Sequence, residues 1–331
     1  MMPKMFIEPL LRALADPTRL RVMRLLAHME LAVGELAQVL GQSQPRVSRH
    51  IRILCDAGLA KRRKEGSWVF LNSAIGDGRA APLGAAASQL LALAERDDPD
   101  FGARCSDDRR HLAAIRAARE TTAASYFARH AEHWDTLRAL HSGDGVVEDA
   151  LLGELGGTPY GSVLDVGTGT GRIAELIAPR ADHVTAFDKS PEMLRVARAR
   201  LQHLPGEQVA LAQGDFAALP FADAAFDTVL FHQVLHYAQE PEAVLAEAAR
   251  VTRAGGRIAI ADFAAHQHED LRRLHAHARL GFSEAQMAAL LTQAGFDPAP
   301  ARALPGSELT VMIWTGTRRS AEVRALRKAA S

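Results

Sequence analysis

Hydrophobic positions in the first 75 residues recur at helical spacing, then switch to a strand pattern. Apolar residues at 6, 7, 10, 11 and 14 predict a first helix. Asp16-Pro17 reads as N-cap and first helical residue of a second, which turns Leu20, Met23, Leu26 and Ala27 inward. A third helix is expected from Val33 to Leu40, stopped by Gly41. Ser43 can cap a fourth, Gln44 to Ala57, whose apolar positions 47, 51 and 54 share one face. Arg46, Arg49, His50 and Arg52 then point elsewhere, and Gly58 ends the helix. A hairpin follows: Leu59 to Lys64, a turn at Glu65-Gly66-Ser67, and Trp68 to Leu71.

From Gly76 to Leu155 the chain is Ala-rich and helical, interrupted at Arg96-Asp97-Asp98-Pro99-Asp100. Two or more connecting helices are expected, the later ones over Asp107 to His141. From Ser162, strands alternate with helix-period segments. Candidate strands are Ser162–Val166, His183–Asp188, Gln208–Gln213, Thr228–Phe231, Arg257–Asp262 and Leu309–Thr315. That alternation predicts a mostly parallel α/β sheet. No internal repeat is visible.

A chain of 331 residues has room for two domains. Aromatics are only 5%, so Ala, Leu and Val must do most of the packing. No apolar run approaches the roughly 18 residues of a membrane span, and the N-terminus does not read as a signal peptide. Two cysteines, Cys55 and Cys105, cannot make a disulfide framework, so the cytoplasm is the expected compartment. The balanced total, 39 basic and 39 acidic residues, hides an asymmetry. Residues 1–72 carry 12 Lys or Arg against six acids, and the remainder is acidic by the same margin. Only the first domain is built to meet a polyanion.

Three helices, a fourth rich in Arg, Gln and Ser, and a basic hairpin suit double-stranded DNA, with the fourth helix in the major groove. Ser43, Gln44, Arg46, Ser48, Arg49, His50 and Arg52 are its candidate contacts, since Arg matches guanine and Gln adenine in bidentate geometry. Lys61, Arg62 and Arg63, with Lys64, would neutralise phosphates. The competing reading is a helical bundle with a solvated basic face. The runs Ala15-Asp16-Pro17-Thr18-Arg19-Leu20, Gly34-Glu35-Leu36-Ala37, Ser43 through His50 and Ala57-Gly58-Leu59 resemble the ArsR/SmtB family of bacterial repressors over about residues 5–75. The resemblance implies a winged helix-turn-helix, a homodimer on a palindromic operator, and release by an inducer. The usual thiolate metal site of that family would need Cys near Ala32 and Gly34, where there is none, so no metal is expected by that route. Asp107, Asp108 and His111 only weakly suggest a carboxylate–His site. A sulfur switch through Cys55 and Cys105 is a further open alternative.

Val163-Leu164-Asp165-Val166-Gly167-Thr168-Gly169-Thr170-Gly171-Arg172 reads as strand, glycine-rich turn and helix start. An acid before the first glycine would repel a pyrophosphate but attract an ammonium. Asp188 ends the second strand, where a carboxylate can accept both hydroxyls of a ribose. Asp215 follows the third, where it can accept from an adenine amine. Three acids at successive strand tips converge on one crevice. This run, with Phe226-Asp227-Thr228-Val229 and Ala248 through Arg257, resembles class I S-adenosylmethionine-dependent methyltransferases over about residues 125–317. The resemblance implies a Rossmann-like domain binding S-adenosylmethionine or S-adenosylhomocysteine. Its contacts would be Asp165, Gly167, Thr168, Gly169 and Gly171 in the loop; Asp188, Lys189 and Met193; Gly214, Asp215 and Phe216; His232; and Tyr126 from a covering helix.

The expected layout is multidomain: an all-α winged helix-turn-helix over 1–75, a helical linker with a dimerisation helix over 76–124, the α/β Rossmann-like domain over 125–317, and a tail over 318–331. Two functions stay open. In one, a repressor senses the adenosyl nucleotide, resembling S-adenosylhomocysteine-responsive regulators of methionine-cycle genes. In the other, the domain is a working small-molecule methyltransferase fused to a regulator. His232, His236, His266, His268, His275 and His277 could line an acceptor pocket, serve structure, or hold a metal.

Overall fold

The structure, a computed structural model, describes residues 5–27, 29–65, 68–75, 82–135, 144–157, 159–306 and 308–320. The turn residues Gly66 and Ser67, the start of the connecting region at 76–81, the stretch 136–143 and most of the C-terminal tail lie outside them. The chain divides into two compact units, Met1–Thr121 and Thr122–Ser331.

In the first unit, α1 (Ile7–Leu14) and α2 (Pro17–Leu26) lead to β1 (Leu31–Ala32), α3 (Val33–Leu40) and α4 (Gln44–Asp56). The hairpin of β2 (Ala60–Glu65) and β3 (Trp68–Ser73) follows, and β1 pairs antiparallel with β3. Asp16 caps α2 by accepting from the Arg19 amide at 3.0 Å, a bond worth about 1 kcal/mol. Ser43 behaves differently. Its side chain makes no cap bond, and the start of α4 rests on an extended Ser43 backbone and a proline in the first turn. Val47, Ile51 and Leu54 form the buried face of α4, each contributing roughly 1.5–3 kcal/mol by leaving water.

Helix α5 (Pro82–Asp97) and the 32-residue α6 (Pro99–His130) come next, and the boundary between units falls inside α6. Ala87, Leu91 and Leu112 enter the same apolar core as α1 to α4. Ion pairs add to that packing: Arg21 forks onto buried Asp108 (2.7 and 2.5 Å), and Glu95 bridges Arg24 and Arg109. Asp108 is thus committed to Arg21, and Asp107 to Arg110, which removes the carboxylate–His idea for that helix. Cys105 is buried on α6, where burial pushes its thiol up to about 11.

The second unit begins with the remainder of α6 and with α7 (Asp144–Leu155). Then come β4 (Ser162–Val166), α8 (Arg172–Ile177), β5 (His183–Asp188), α9 (Pro191–Leu201), β6 (Val209–Gln213), β7 (Phe226–His232), α10 (Pro241–Val251) and β8 (Thr252–Phe263). The chain continues through α11 (Asp270–Leu274), α12 (Glu284–Ala294), β9 (Phe296–Pro298), β10 (Arg302–Pro305) and β11 (Thr310–Arg318). The sheet order is β10-β11-β8-β7-β4-β5-β6, with β9 also on β11. Strands β4 to β8 pair in parallel, while β11 runs antiparallel to β8, β9 and β10. Strand order reverses at β4, which lies between β5 and β7, so a crevice opens there at the carboxyl ends. Alternate residues feed two cores. Val163 and Leu230 join Ile173, Ile177 and Leu201 on one face, and Leu164 and Phe231 join Leu245 and Met287 on the other.

Arg63 ties the hairpin down from inside. It spans buried Glu30 (3.0 and 2.7 Å) and buried Glu65 (2.6 Å), and its guanidinium lies 4.8 Å from the Phe70 ring centroid. Replacing Arg63 by Ala would take the shared cation from two buried carboxylates, of which Glu30 keeps its Asn72 bond. Arg63→Ala should lower unfolding free energy by about 2 kcal/mol in denaturant titration; a loss under about 0.5 kcal/mol would show the pairs contribute nothing.

Candidate functional site

The crevice at the carboxyl ends of β4, β5 and β6 is assembled from one loop and two strand tips. Gly167 has φ +70°, and a Cβ there would collide with the Val234 side chain, so only glycine fits. The Gly167 and Thr168 amides both donate to the Phe187 carbonyl, at 2.8 and 3.0 Å, locking the loop to β5. The Gly169 amide then donates to Asp188 Oδ2 at 2.8 Å, and the Ser190 amide donates to Oδ1 at 2.8 Å. Burial pushes the Asp188 carboxyl above its ordinary range despite those amides. Two backbone donors fix the carboxylate's orientation and leave lone pairs for a donor in the crevice.

The other predicted contacts divide. Asp165 is buried and accepts from Thr168 Oγ1 at 2.6 Å, so at least one of its oxygens braces the loop. Asp215 is partly exposed. Burial pushes its carboxyl up, but the Lys189 ammonium at 2.7 Å and the Ala217 amide outweigh that and hold it below the usual range. Gly214 lies against Phe187, where a Cβ would fall 2.8 Å from the ring, and Phe216 is half-buried against the same core. Met193 is buried in the first turn of α9, whose cap Ser190 accepts from its amide. Gly171 caps α8 at φ +82°, and His232 is buried at the end of β7.

An aromatic group covers this loop, of which the sequence singled out only Tyr126 as a contact. Tyr126 lies 6.3 Å from Trp134, Phe127 lies 5.4 Å from Trp134 and 4.9 Å from Tyr237, and Tyr126 Oη bonds His275 Nδ1 at 2.8 Å. Trp134 Nε1 would lie 3.7 Å from a Cβ placed on Gly169. Neighbouring Asp135 accepts from Thr170 Oγ1 and from Arg200, which fixes the segment. The sequence carries the group in the run Ser125-Tyr126-Phe127 through Trp134-Asp135, which resembles the helix that covers the cofactor in some class I methyltransferases. Of the six histidines, His275 meets Tyr126 and His277 stacks on Phe263. His266 and His268 face each other at 5.5 Å, and buried His236 pairs with Asp262. Among the described residues, no group of three His, Cys, Asp or Glu is arranged to hold a metal.

In the first unit, Ser43, Gln44, Arg46, Ser48, Arg49 and Arg52 on and before α4, with Lys61 and Arg62 on β2, are exposed. Two predicted contacts depart. His50 is half-buried, with Nδ1 3.6 Å from the capping Asp16, so it turns toward the α2 N-terminus. Arg63 spends its charge on Glu30 and Glu65, whose bonds keep its guanidinium firmly charged despite burial, rather than on a free phosphate-facing position. At the α3 N-terminus, Glu35 closes the region by accepting from the Ala32 amide and from Arg119.

Residues 16–62 match the family described as bacterial regulatory protein, arsR family, and residues 164–260 match methyltransferase domain. A demethylmenaquinone methyltransferase of Tropheryma whipplei is 38% identical over 109 residues, 33% of this chain and 44% of that protein. An arsenite methyltransferase of Halobacterium salinarum is 36% identical over 107 residues, 31% of this chain and 27% of that protein. In both, the matched stretch spans less than half of the relative. A chain of the complex between the Haloferax volcanii Trm112 methyltransferase activator and a methyltransferase superposes with TM-score 0.50 at 21% identity, over 59% of this chain and 98% of that one. That likeness is one of fold.

If the exposed arginines contact DNA, they should separate by experiment. Arg49→Ala should weaken binding to the chain's own promoter duplex by about 1–3 kcal/mol and relax sequence preference, while Arg62→Ala should mainly flatten the salt dependence. Equal affinity and salt slope in both variants would remove α4 and β2 as the interface.

Proposed function

From a chain that joins an arsR-type DNA-binding regulatory domain at residues 16–62 to a methyltransferase domain at residues 164–260, we propose a transcriptional repressor whose second unit binds S-adenosylmethionine or S-adenosylhomocysteine as effector. The observation that carries the reading is Asp188, a carboxylate aimed by two backbone amides at the mouth of a glycine-lined crevice. An adenosyl ribose presents two hydroxyl donors, which an ionised carboxylate accepts as a pair. Gly167, Gly169 and Gly214 leave the backbone open for the methionine and adenine parts. Asp165, Thr168 and Gly171 hold the loop, Asp215 with Lys189 faces the adenine amine, and Met193, Phe216 and His232 complete the walls. Tyr126 closes over the site.

The absence of Cys at Ala32 and Gly34, with Glu35 and Arg119 at that helix start, supports a non-metal inducer. Helix α6 carries Arg119, which pairs with Glu35, and about two turns later Tyr126 and Phe127. Nucleotide binding that shifts Tyr126 would act on the same helix. The ligand must prefer one of two DNA-affinity states, because equal affinity shifts neither.

The repressor acts as a homodimer on a palindromic operator in this reading. Phe6 at the start of α1, Ile7 and Leu11 on it, and Leu90 on α5 are apolar and more than half exposed, which a second copy would cover. In light scattering, Leu11→Asp should convert a dimer to a monomer; a wild-type monomer at micromolar concentration would contradict the assembly.

A mobility-shift titration of the promoter duplex with each nucleotide tests the effector role. We expect operator affinity to change about 5- to 150-fold with at least one of them. Unchanged affinity with both, at nucleotide concentrations that saturate the protein, would remove the sensor.

A further inference from the structure

The second unit contains a buried acid–base pair that nucleotide binding does not use. His236 sits in the turn Leu235–Tyr237 after β7, and Asp262 near the end of β8. Asp262 Oδ1 lies 2.7 Å from His236 Nδ1, and Oδ2 accepts from the His236 amide at 3.1 Å. Both side chains are out of solvent, at 2% and 0% exposure. The His236 carbonyl accepts from the Ala278 and Arg279 amides, so the turn is held on a second side. A carboxylate only accepts, which places the shared proton on Nδ1 and leaves a lone pair on Nε2. That Nε2 is buried and meets no hydrogen-bond partner among the described residues. An unmatched buried acceptor is unfavourable, and a donor arriving from outside the chain would offset that.

Position says what the partner does. Val234, two residues earlier, packs against Gly167, so the turn adjoins the glycine loop on the β7–β8 side of the crevice, away from Asp188. The walls are planar rings: Tyr237 and His277 each lie 4.1 Å from the His236 ring and Phe263 lies 5.1 Å away. Asp262, the carboxylate that would otherwise attract a cation, is committed behind the imidazole.

We propose that His236 is the general base of a methyl-acceptor subsite that takes a hydroxyl on a planar ring, a phenol or enol, with Asp262 as its positioning residue. The regulator is then also an O-methyltransferase. In the step, the acceptor oxygen forms a bond to the methyl carbon as the sulfur–methyl bond breaks, and sulfur keeps that electron pair as a neutral thioether. The hydroxyl proton goes to His236 Nε2, and Asp262 stabilises the imidazolium through Nδ1–H. The proposal rests on adenosyl binding in the neighbouring crevice.

Two measurements test it on the full chain. First, a nitrophenol held well below its own pKa should bind without any nucleotide and change colour on the protein; His236→Asn, which can still bond Asp262, should abolish that colour. Second, label from methyl-tritiated S-adenosylmethionine should reach catechol or a 1,3-diketone enol but not benzylamine. His236→Asn should cut that transfer about 100- to 10,000-fold with nucleotide affinity within twofold by calorimetry. Its residual rate should climb about tenfold per pH unit as free phenolate accumulates. Asp262→Asn, the second variant should the first fail to fold, should lose the colour as well, because it favours the wrong tautomer. Nucleotide binding with no label on any hydroxyl probe, label on benzylamine alone, or wild-type rates in a folded His236→Asn would each overturn the base. Absence of nucleotide binding in the wild type would instead overturn the crevice reading, and this inference with it.

Discussion

One carboxylate, Asp188, sets the geometry of the second unit's open end. Its two oxygens are each taken up by one backbone amide, Gly169 on the first loop and Ser190 at the cap of α9. The loop must pass close to β5 to reach it, which forces Gly167 into a positive φ against Val234 and ties both Gly167 and Thr168 to the Phe187 carbonyl. Burial raises the Asp188 carboxyl, so with respect to this group the fold gains stability at low pH and loses it as pH rises through the raised value. A ligand that donates to the ionised carboxylate reverses that penalty. Held by two amides at a strand tip where strand order reverses, the acid stands where a ligand's donors can reach it.

The two sides of the crevice solve opposite problems. Asp188 is held by neutral amides and left able to accept. Asp262 is closed off by His236 and by its own neighbours, and the histidine's far nitrogen is buried without a hydrogen-bond partner among the described residues. In the proposed reading, one side holds a ribose and the other moves a proton. Between them lies the aromatic group of Phe127, Trp134 and Tyr237, whose edge-to-face contacts shed water from the space they cover.

The fold was largely legible because its signals are local. Asp16-Pro17, Gly41 and Gly58 bound helices by local capping and backbone chemistry, and β4 and β5 begin and end where the alternation and the glycine turn require. Strands β9 and β10 were missed: three and four residues, each with a proline, they exist only because β11 offers an edge. Residue positions were legible where one strand tip suffices, as for Asp188 at the end of β5. They were not where a distant partner decides. Arg63 looks like its basic neighbours until Glu30, 33 positions earlier, is brought to it. His50 reads as exposed until Asp16 is found beside it. Asp262 gave no sign of pairing with a histidine 26 positions away.

Calorimetric titration of S-adenosylhomocysteine into the full chain tests the central claim most directly. The account predicts saturable heat with the wild type, weakening as pH falls through the raised Asp188 value because a protonated carboxyl no longer accepts both hydroxyls, and no heat with a folded Asp188→Ala. Equal binding by wild type and variant, or none by the wild type under conditions where it is folded, would contradict it.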